Sequence, residues 1–135
     1  MEIRSQFEDK ENVGYLIVKV STARGAIPLE DAAVSIKAST SENSGIVFSL
    51  ETNADGLTPK ITLPAPPRIL SESPSNAIPF SSWNIDVFKD GYIPVSFQNV
   101  PVYSSVVSIQ PAVMIPISEN FRPSQRFNES QAPNL

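Results

Sequence analysis

The chain has 135 residues, with 10 Lys plus Arg against 14 Asp plus Glu for a net charge of -4, and neither cysteine nor histidine. Without thiols there is no disulfide framework, thiolate metal site or cysteine nucleophile, and without imidazole the commonest general base and zinc ligand are missing. The cations are scattered rather than clustered, which argues against a nucleic-acid partner, and the length suits one domain burying about two thirds of its unfolded surface.

Residues 1–12 mix Glu, Asp, Arg and Lys and lack the apolar stretch of a Sec signal, so the expectation is a chain made in the cytosol and kept there, or released by another route such as lysis. Thirteen prolines, five glycines and short alternating apolar segments then point to an all-β domain over residues 13–117. From Gly14 to Ser21, Leu16, Val18 and Val20 alternate with Tyr15, Ile17 and Lys19, which predicts the first core strand. After a loop with Gly25 and Pro28, Val34, Ile36 and Ala38 alternate with Ser35, Lys37 and Ser39 in a second, half-buried strand. A polar turn at Ser41 to Gly45 leads to a third, Ile46 to Glu51. Asn53-Ala54-Asp55-Gly56 has turn chemistry, and the expectation is an antiparallel hairpin between that strand and Lys60 to Leu63.

Pro64 to Phe80 holds five prolines and no usable period, so it reads as a long surface loop, with Arg68, Ile69 and Leu70 as side chains free to meet a partner. Trp83, Ile85 and Val87 alternate with Ser82, Asn84 and Asp86, and Lys89-Asp90-Gly91 turns the chain into Tyr92 to Phe97, a second hairpin. Val102 to Ile117 is expected as one long final strand that Pro111 and Pro116 confine to an edge. Within it Val106 to Ile117 is the longest apolar run, and its interruptions at Gln110, Pro111 and Pro116 leave it short of the roughly 20 residues that span a bilayer. Residues 118–135 are polar and aperiodic and read as an extended or disordered tail, carrying Phe121, Arg122, Arg126 and Phe127 either as interface anchors or as part of a solubilising segment.

Few side chains offer chemistry. Glu30 and Asp31 are adjacent carboxylates, but a hard cation needs six or more oxygens, and Asp55 and Asp90 each precede a turn glycine, so no metal site is expected. No Gly-x-Ser-x-Gly elbow occurs and the glycines stand isolated at 14, 25, 45, 56 and 91, which leaves a triad hydrolase and a phosphate loop without support. No catalytic residue and no cofactor are assigned. Trp83, Tyr92, Tyr103, Phe80 and Phe97 fit core packing or a sugar-stacking platform, with Tyr92 and Tyr103, beside turns, the better contact residues.

The series Gly25-Ala26-Ile27-Pro28-Leu29, Ala32-Ala33-Val34-Ser35-Ile36, Thr52-Asn53-Ala54-Asp55-Gly56 and Trp83 to Tyr92 resembles the carboxypeptidase regulatory-like domain. That resemblance covers about Val13 to Ile117 and implies a seven-stranded antiparallel transthyretin-like β-sandwich. The chain departs from the family at Pro64 to Phe80, where a short turn is usual. This insertion, with Leu63-Pro64-Ala65-Pro66, Asn99-Val100-Pro101-Val102-Tyr103, Ser108-Ile109-Gln110-Pro111 and Met114-Ile115-Pro116, is similar to the non-catalytic N-terminal region of spore cortex-lytic enzymes. The resemblance implies a non-catalytic structural or binding module in spore cortex or cell-wall remodelling, whose partner is a peptidoglycan hydrolase or peptidoglycan itself.

Other readings are a component of a phage-tail-like or surface assembly and a carbohydrate-binding sandwich. The transthyretin-like hydrolases of urate breakdown use a site with histidine, which this chain lacks. The adhesin sandwiches that carry a Lys to Asn isopeptide bond rank lower, because Lys19 lies in the first strand while the last contains no asparagine.

Overall fold

The computed structural model describes residues 12–67 and 79–118. Among them eight strands form: β1 (Val13–Thr22), β2 (Ile27–Pro28), β3 (Ala33–Ala38), β4 (Val47–Glu51), β5 (Ile61–Pro64), β6 (Ser81–Phe88), β7 (Val95–Val102) and β8 (Val107–Val113), with a single 3-10 turn at Ser41–Asn43. They make two four-stranded sheets, one in the order β4-β3-β6-β7 and one built around β1. One edge of β1 is shared by β5, at Val13 to Leu16, and β2, at Ser21 and Thr22; the other pairs with β8.

The alternation explains the layers. Leu16, Val18 and Val20 of β1 point inward with Ile61, Leu63 and Ala112, and meet Val34, Ile36, Trp83, Ile85, Val87, Val100 and Val102 of the other sheet. Trp83 and Ile85 are fully buried. Phe97 and Tyr92 are half-buried and pack against this cluster, so of the five aromatics Trp83, Phe97 and Tyr92 join the core.

The all-β sandwich and the β6–β7 hairpin are as the alternation predicts, with Ile85 opposite Phe97 and Val87 opposite Val95. Three expectations need correction. First, Ile46 to Glu51 and Lys60 to Leu63 do not form a hairpin: β4 pairs with β3 and β5 with β1, so residues 52–60 cross from one sheet to the other. Second, Val102 to Ile117 is not one strand. Val102 ends β7, a turn at Tyr103 to Val106 passes through Ser105 at φ 63°, and β8 starts at Val107. Third, the expected seven antiparallel strands become eight, and β8 runs parallel to β1, with Tyr15 opposite Val107 and Ser21 opposite Val113. The four residues between β7 and β8 carry the chain across to the other sheet, where β8 lies beside β1.

Pro111 behaves as its chemistry demands. Tyr15 N–H donates to Val106 O and Met114 N–H to Ser21 O, so in this parallel register the even residues of β8 bond β1 while the nitrogen of Pro111 faces the open edge.

Candidate functional site

The strand directions give the sandwich two ends. At one end β1 begins, β5 and β7 finish, β6 starts, and the chain leaves after Pro64 and rejoins before Ser81; Ala65 N–H donates to Asn12 O at 2.9 Å and the Ser81 hydroxyl to Pro64 O at 2.6 Å. At the other end lie the turns Thr22 to Asp31 and Lys89 to Pro94, and Ile117 N–H donates to Gly91 O at 2.9 Å as the chain leaves β8.

The family-like motifs crowd the second end, and their polar groups are consumed by folding. The buried Thr52 hydroxyl donates to Leu29 O at 2.6 Å and accepts from Ala32 N–H at 2.9 Å. Asn53 Oδ1 accepts from the backbone N–H of Asp55 at 2.9 Å and of Leu57 at 3.0 Å. Gly56 sits at φ +78°, and a Cβ there would press into the Val20 carbonyl oxygen, so both conformation and space require glycine. Buried Thr22 and Thr58 do the same work, Thr22 donating to Met114 O at 2.8 Å and Thr58 Oγ1 accepting from Val18 N–H at 3.0 Å. Sequence reasoning named Thr52 only as part of a turn motif and missed Thr22 and Thr58, because nothing in a strand's alternation marks a hydroxyl as inward. Asp31, at φ 63°, is exposed beside exposed Glu30, and Asp55 and Asp90 are exposed at their turns. Among the described residues no three of the ligating types His, Cys, Asp and Glu come together, and no helix is long and apolar enough to cross a membrane.

The first end is built differently. Phe80, 49% exposed, meets the half-buried Tyr103 edge-on with ring centroids 5.6 Å apart. Tyr103 is placed by Gly14: a Cβ on that buried strand residue would collide with the Tyr103 carbonyl oxygen and Val102 Cγ1, so only glycine lets the turn lie against β1. A shallow depression beside Phe80 is lined by Asn12, Thr40, Asn43, Pro64, Pro66 and Ser82. Among the described residues, no charged side chain lines it. Rings, prolines, amides and hydroxyls suit a neutral ligand that offers both an apolar face and hydrogen-bonding groups.

Of the contact residues expected from sequence, Tyr103 lies here. Tyr92 does not: it is half-buried, bridges Pro116 and packs against the core at the opposite end. Eight residues of β6 separate the two tyrosines, about 25 Å of strand. Arg68, Ile69, Leu70, Phe121, Arg122, Arg126 and Phe127 lie outside the described residues. The points where their segments join the sandwich lie at opposite ends, the loop beside Tyr103 and the tail beside Gly91. Phe80, half exposed, was singled out only as one of five aromatics; its place next to a proline-rich insertion was the available signal.

No protein-family profile matches the chain, and no curated protein matches it. Among solved structures it is similar to part of the Bacillus anthracis TIE protein, with a TM-score of 0.51 and 12% identity over 78% of this chain and 17% of that one. Catechol 1,2-dioxygenase from Acinetobacter sp. ADP1 gives a TM-score of 0.55 at 8% identity, over 93% of this chain and 57% of the enzyme. GBS52, the minor pilin of Streptococcus agalactiae, gives 0.50 at 13% identity, over 84% of this chain and 49% of the pilin. The chain thus spans less than two thirds of the length of each. At these identities the likeness establishes the fold, a β-sandwich of the immunoglobulin-like and transthyretin-like kind.

Proposed function

We infer that this chain is a non-catalytic binding module that meets its partner at the loop end, through Phe80, Tyr103 and the neutral polar rim around them. The observation that carries this reading is the half-exposed Phe80 ring, edge-on to Tyr103 beside a depression whose described lining carries no charge, whereas motif residues Thr52, Asn53 and Gly56 are used up in turn construction. The resemblance to the non-catalytic region of spore cortex-lytic enzymes supplies the setting, spore cortex or cell-wall remodelling, with a peptidoglycan hydrolase docked or regulated by the module, or the glycan itself as ligand.

Co-sedimentation with purified cortex or cell-wall peptidoglycan, and pull-down of a cortex hydrolase, test it directly. The full chain should be retained, and Phe80→Ala and Tyr103→Ala should each lower retention about tenfold, the factor that loss of about 1.4 kcal/mol from an aromatic anchor gives. Equal retention of wild type and both variants, or none by any of them, overturns the reading. A second reading, a building block of a surface assembly, is favoured by the fold shared with a minor pilin; it predicts retention by the assembled particle and indifference to Phe80.

A further inference from the structure

Nine large apolar side chains are exposed among the described residues, and five of them, Val106, Val107, Ile109, Val113 and Ile115, lie on or beside β8. Val107, Ile109 and Val113 occupy the outer face of the sheet, next to half-buried Tyr15 and Ile17 of β1. Over the β5 side of this face the Lys60 ammonium sits 5.0 Å from the Tyr15 ring centroid; on the β8 side Val107, Ile109 and Val113 are 47%, 58% and 45% exposed.

β8 is also an open edge, and of the usual protections it carries only Pro111. The other edge strands are short or interrupted: β2 has two residues, β5 four with Pro64 at its end, and β4 five with Glu51 at its end. Edge strand β7 carries a bulge opposite Trp83 to Ile85, with Asn99 at φ 60°. β8 has seven residues and no charge from Val107 to Val113. Its register turns the N–H groups of Val107, Ile109 and Val113, and the carbonyls of these residues and Pro111, away from β1. The Pro111 carbonyl is met by the side-chain amide of Gln110 at 2.9 Å, a local stand-in for a neighbouring strand.

We propose that β8 pairs antiparallel with β8 of a second copy of this chain, about a two-fold axis at Gln110. In this register Val107 faces the partner's Val113 and exchanges two backbone hydrogen bonds, and Ile109 faces the partner's Pro111, whose missing N–H removes one bond of the pair. An axis at Pro111 sets the two prolines face to face and loses both bonds there, and an axis at Ile109 leaves Val113 opposite Ser105 in the turn. The uncharged edge favours its own copy over a charged strand, because either cross-strand pair is apolar and no ion pair is available to select another partner. The exposed stripe then runs unbroken across the axis as one face of an extended sheet.

Sedimentation of the full chain from about 1 µM to about 500 µM covers the range in which a small edge interface dissociates. A concentration-dependent dimer is expected, and Ile109→Lys, at a position 58% exposed, should raise its dissociation constant at least tenfold without moving the denaturant midpoint. The register has its own test. Gln110→Cys puts the chain's sole thiol opposite itself in a non-hydrogen-bonded pair, with Cα atoms about 4.5 Å apart, within disulfide reach. Oxidation should cross-link it at least tenfold faster than Ser108→Cys, whose counterpart faces Ala112. A monomer throughout, a dimer unaffected by Ile109→Lys, or equal cross-linking of the two cysteine variants overturns the proposal. So does a chain ended after Ser118 that dimerises when the full chain does not, since the tail then covers the edge.

Discussion

The turn end and the loop end of the sandwich are made from similar residues, threonines, serines, asparagines, prolines and glycines, and both spend some of them on folding, but the loop end also sets the half-exposed Phe80 ring beside an open depression. At the turn end Thr52 joins two segments of backbone through one buried hydroxyl and Asn53 folds its amide onto its own turn. At the loop end Asn12, Thr40, Asn43 and Ser82 line an open depression next to Phe80. The difference teaches that a recurring motif can be wholly structural. Binding is then better sought where the chain departs from its family-like pattern, at the insertion that starts at Pro64.

The comparison breaks if substitutions at the two ends cost alike, and the frame between them sets the scale. Ile85→Ala, in the fully buried centre, should cost about 2–5 kcal/mol by lost burial and a residual cavity, read from the shift of a urea or guanidinium midpoint. Its neighbour Asn84 faces away from the core, but its Oδ1 accepts from Asn99 N–H at 3.0 Å across the β7 bulge, so Asn84→Ala should cost about 1 kcal/mol. Equal losses for the pair would refute the strand register.

At the turn end, Thr52→Val keeps the shape but leaves Ala32 N–H and Leu29 C=O without their buried partner, and should cost about 1–3 kcal/mol in the same titration. Asn53→Ala removes an exposed pair of turn hydrogen bonds and should cost about 1 kcal/mol or less. At the loop end, Phe80→Ala should cost the least, about 0.5 kcal/mol for a half-exposed ring that loses one edge-on contact. A Phe80 variant that unfolds as readily as a Thr52 variant would make the aromatic pair a structural plug rather than a contact surface.

Strands with strict alternation were legible in the sequence: β1, β3 and β6 fall where Leu16 to Val20, Val34 to Ala38 and Trp83 to Val87 place them, because a half-buried strand writes its two faces into its residue order. The destination of a turn was not. Asn53 to Gly56 has the same local chemistry whether the chain doubles back beside β4 or crosses to β1, and only the pairing of distant strands decides it. The break inside Val102 to Ile117 had one visible sign, the Ser104-Ser105 pair interrupting an apolar run, with Ser105 taking the left-handed conformation. The candidate site was legible only as far as Tyr103 and the proline-rich insertion. Tyr92 looked equivalent, since both tyrosines flank turns, but its packing against Pro116 depends on where β8 ends.

The parallel pairing of β1 with β8 ties the first strand to the last: Thr22 and Met114, bonded at the end of that ladder, stand 92 positions apart. During synthesis β1 leaves the ribosome before the other strands of the sandwich, and half of its backbone ladder has no template until almost the whole sandwich has emerged. The opposite sheet, β4-β3-β6-β7, closes over shorter stretches of chain and has no such wait. Folding should therefore be limited by a late, entropically costly docking of β8, slower than the β6–β7 hairpin suggests, and a nascent chain stalled before Val107 should hold its hydrophobic first strand in a half-paired, chaperone-accessible state.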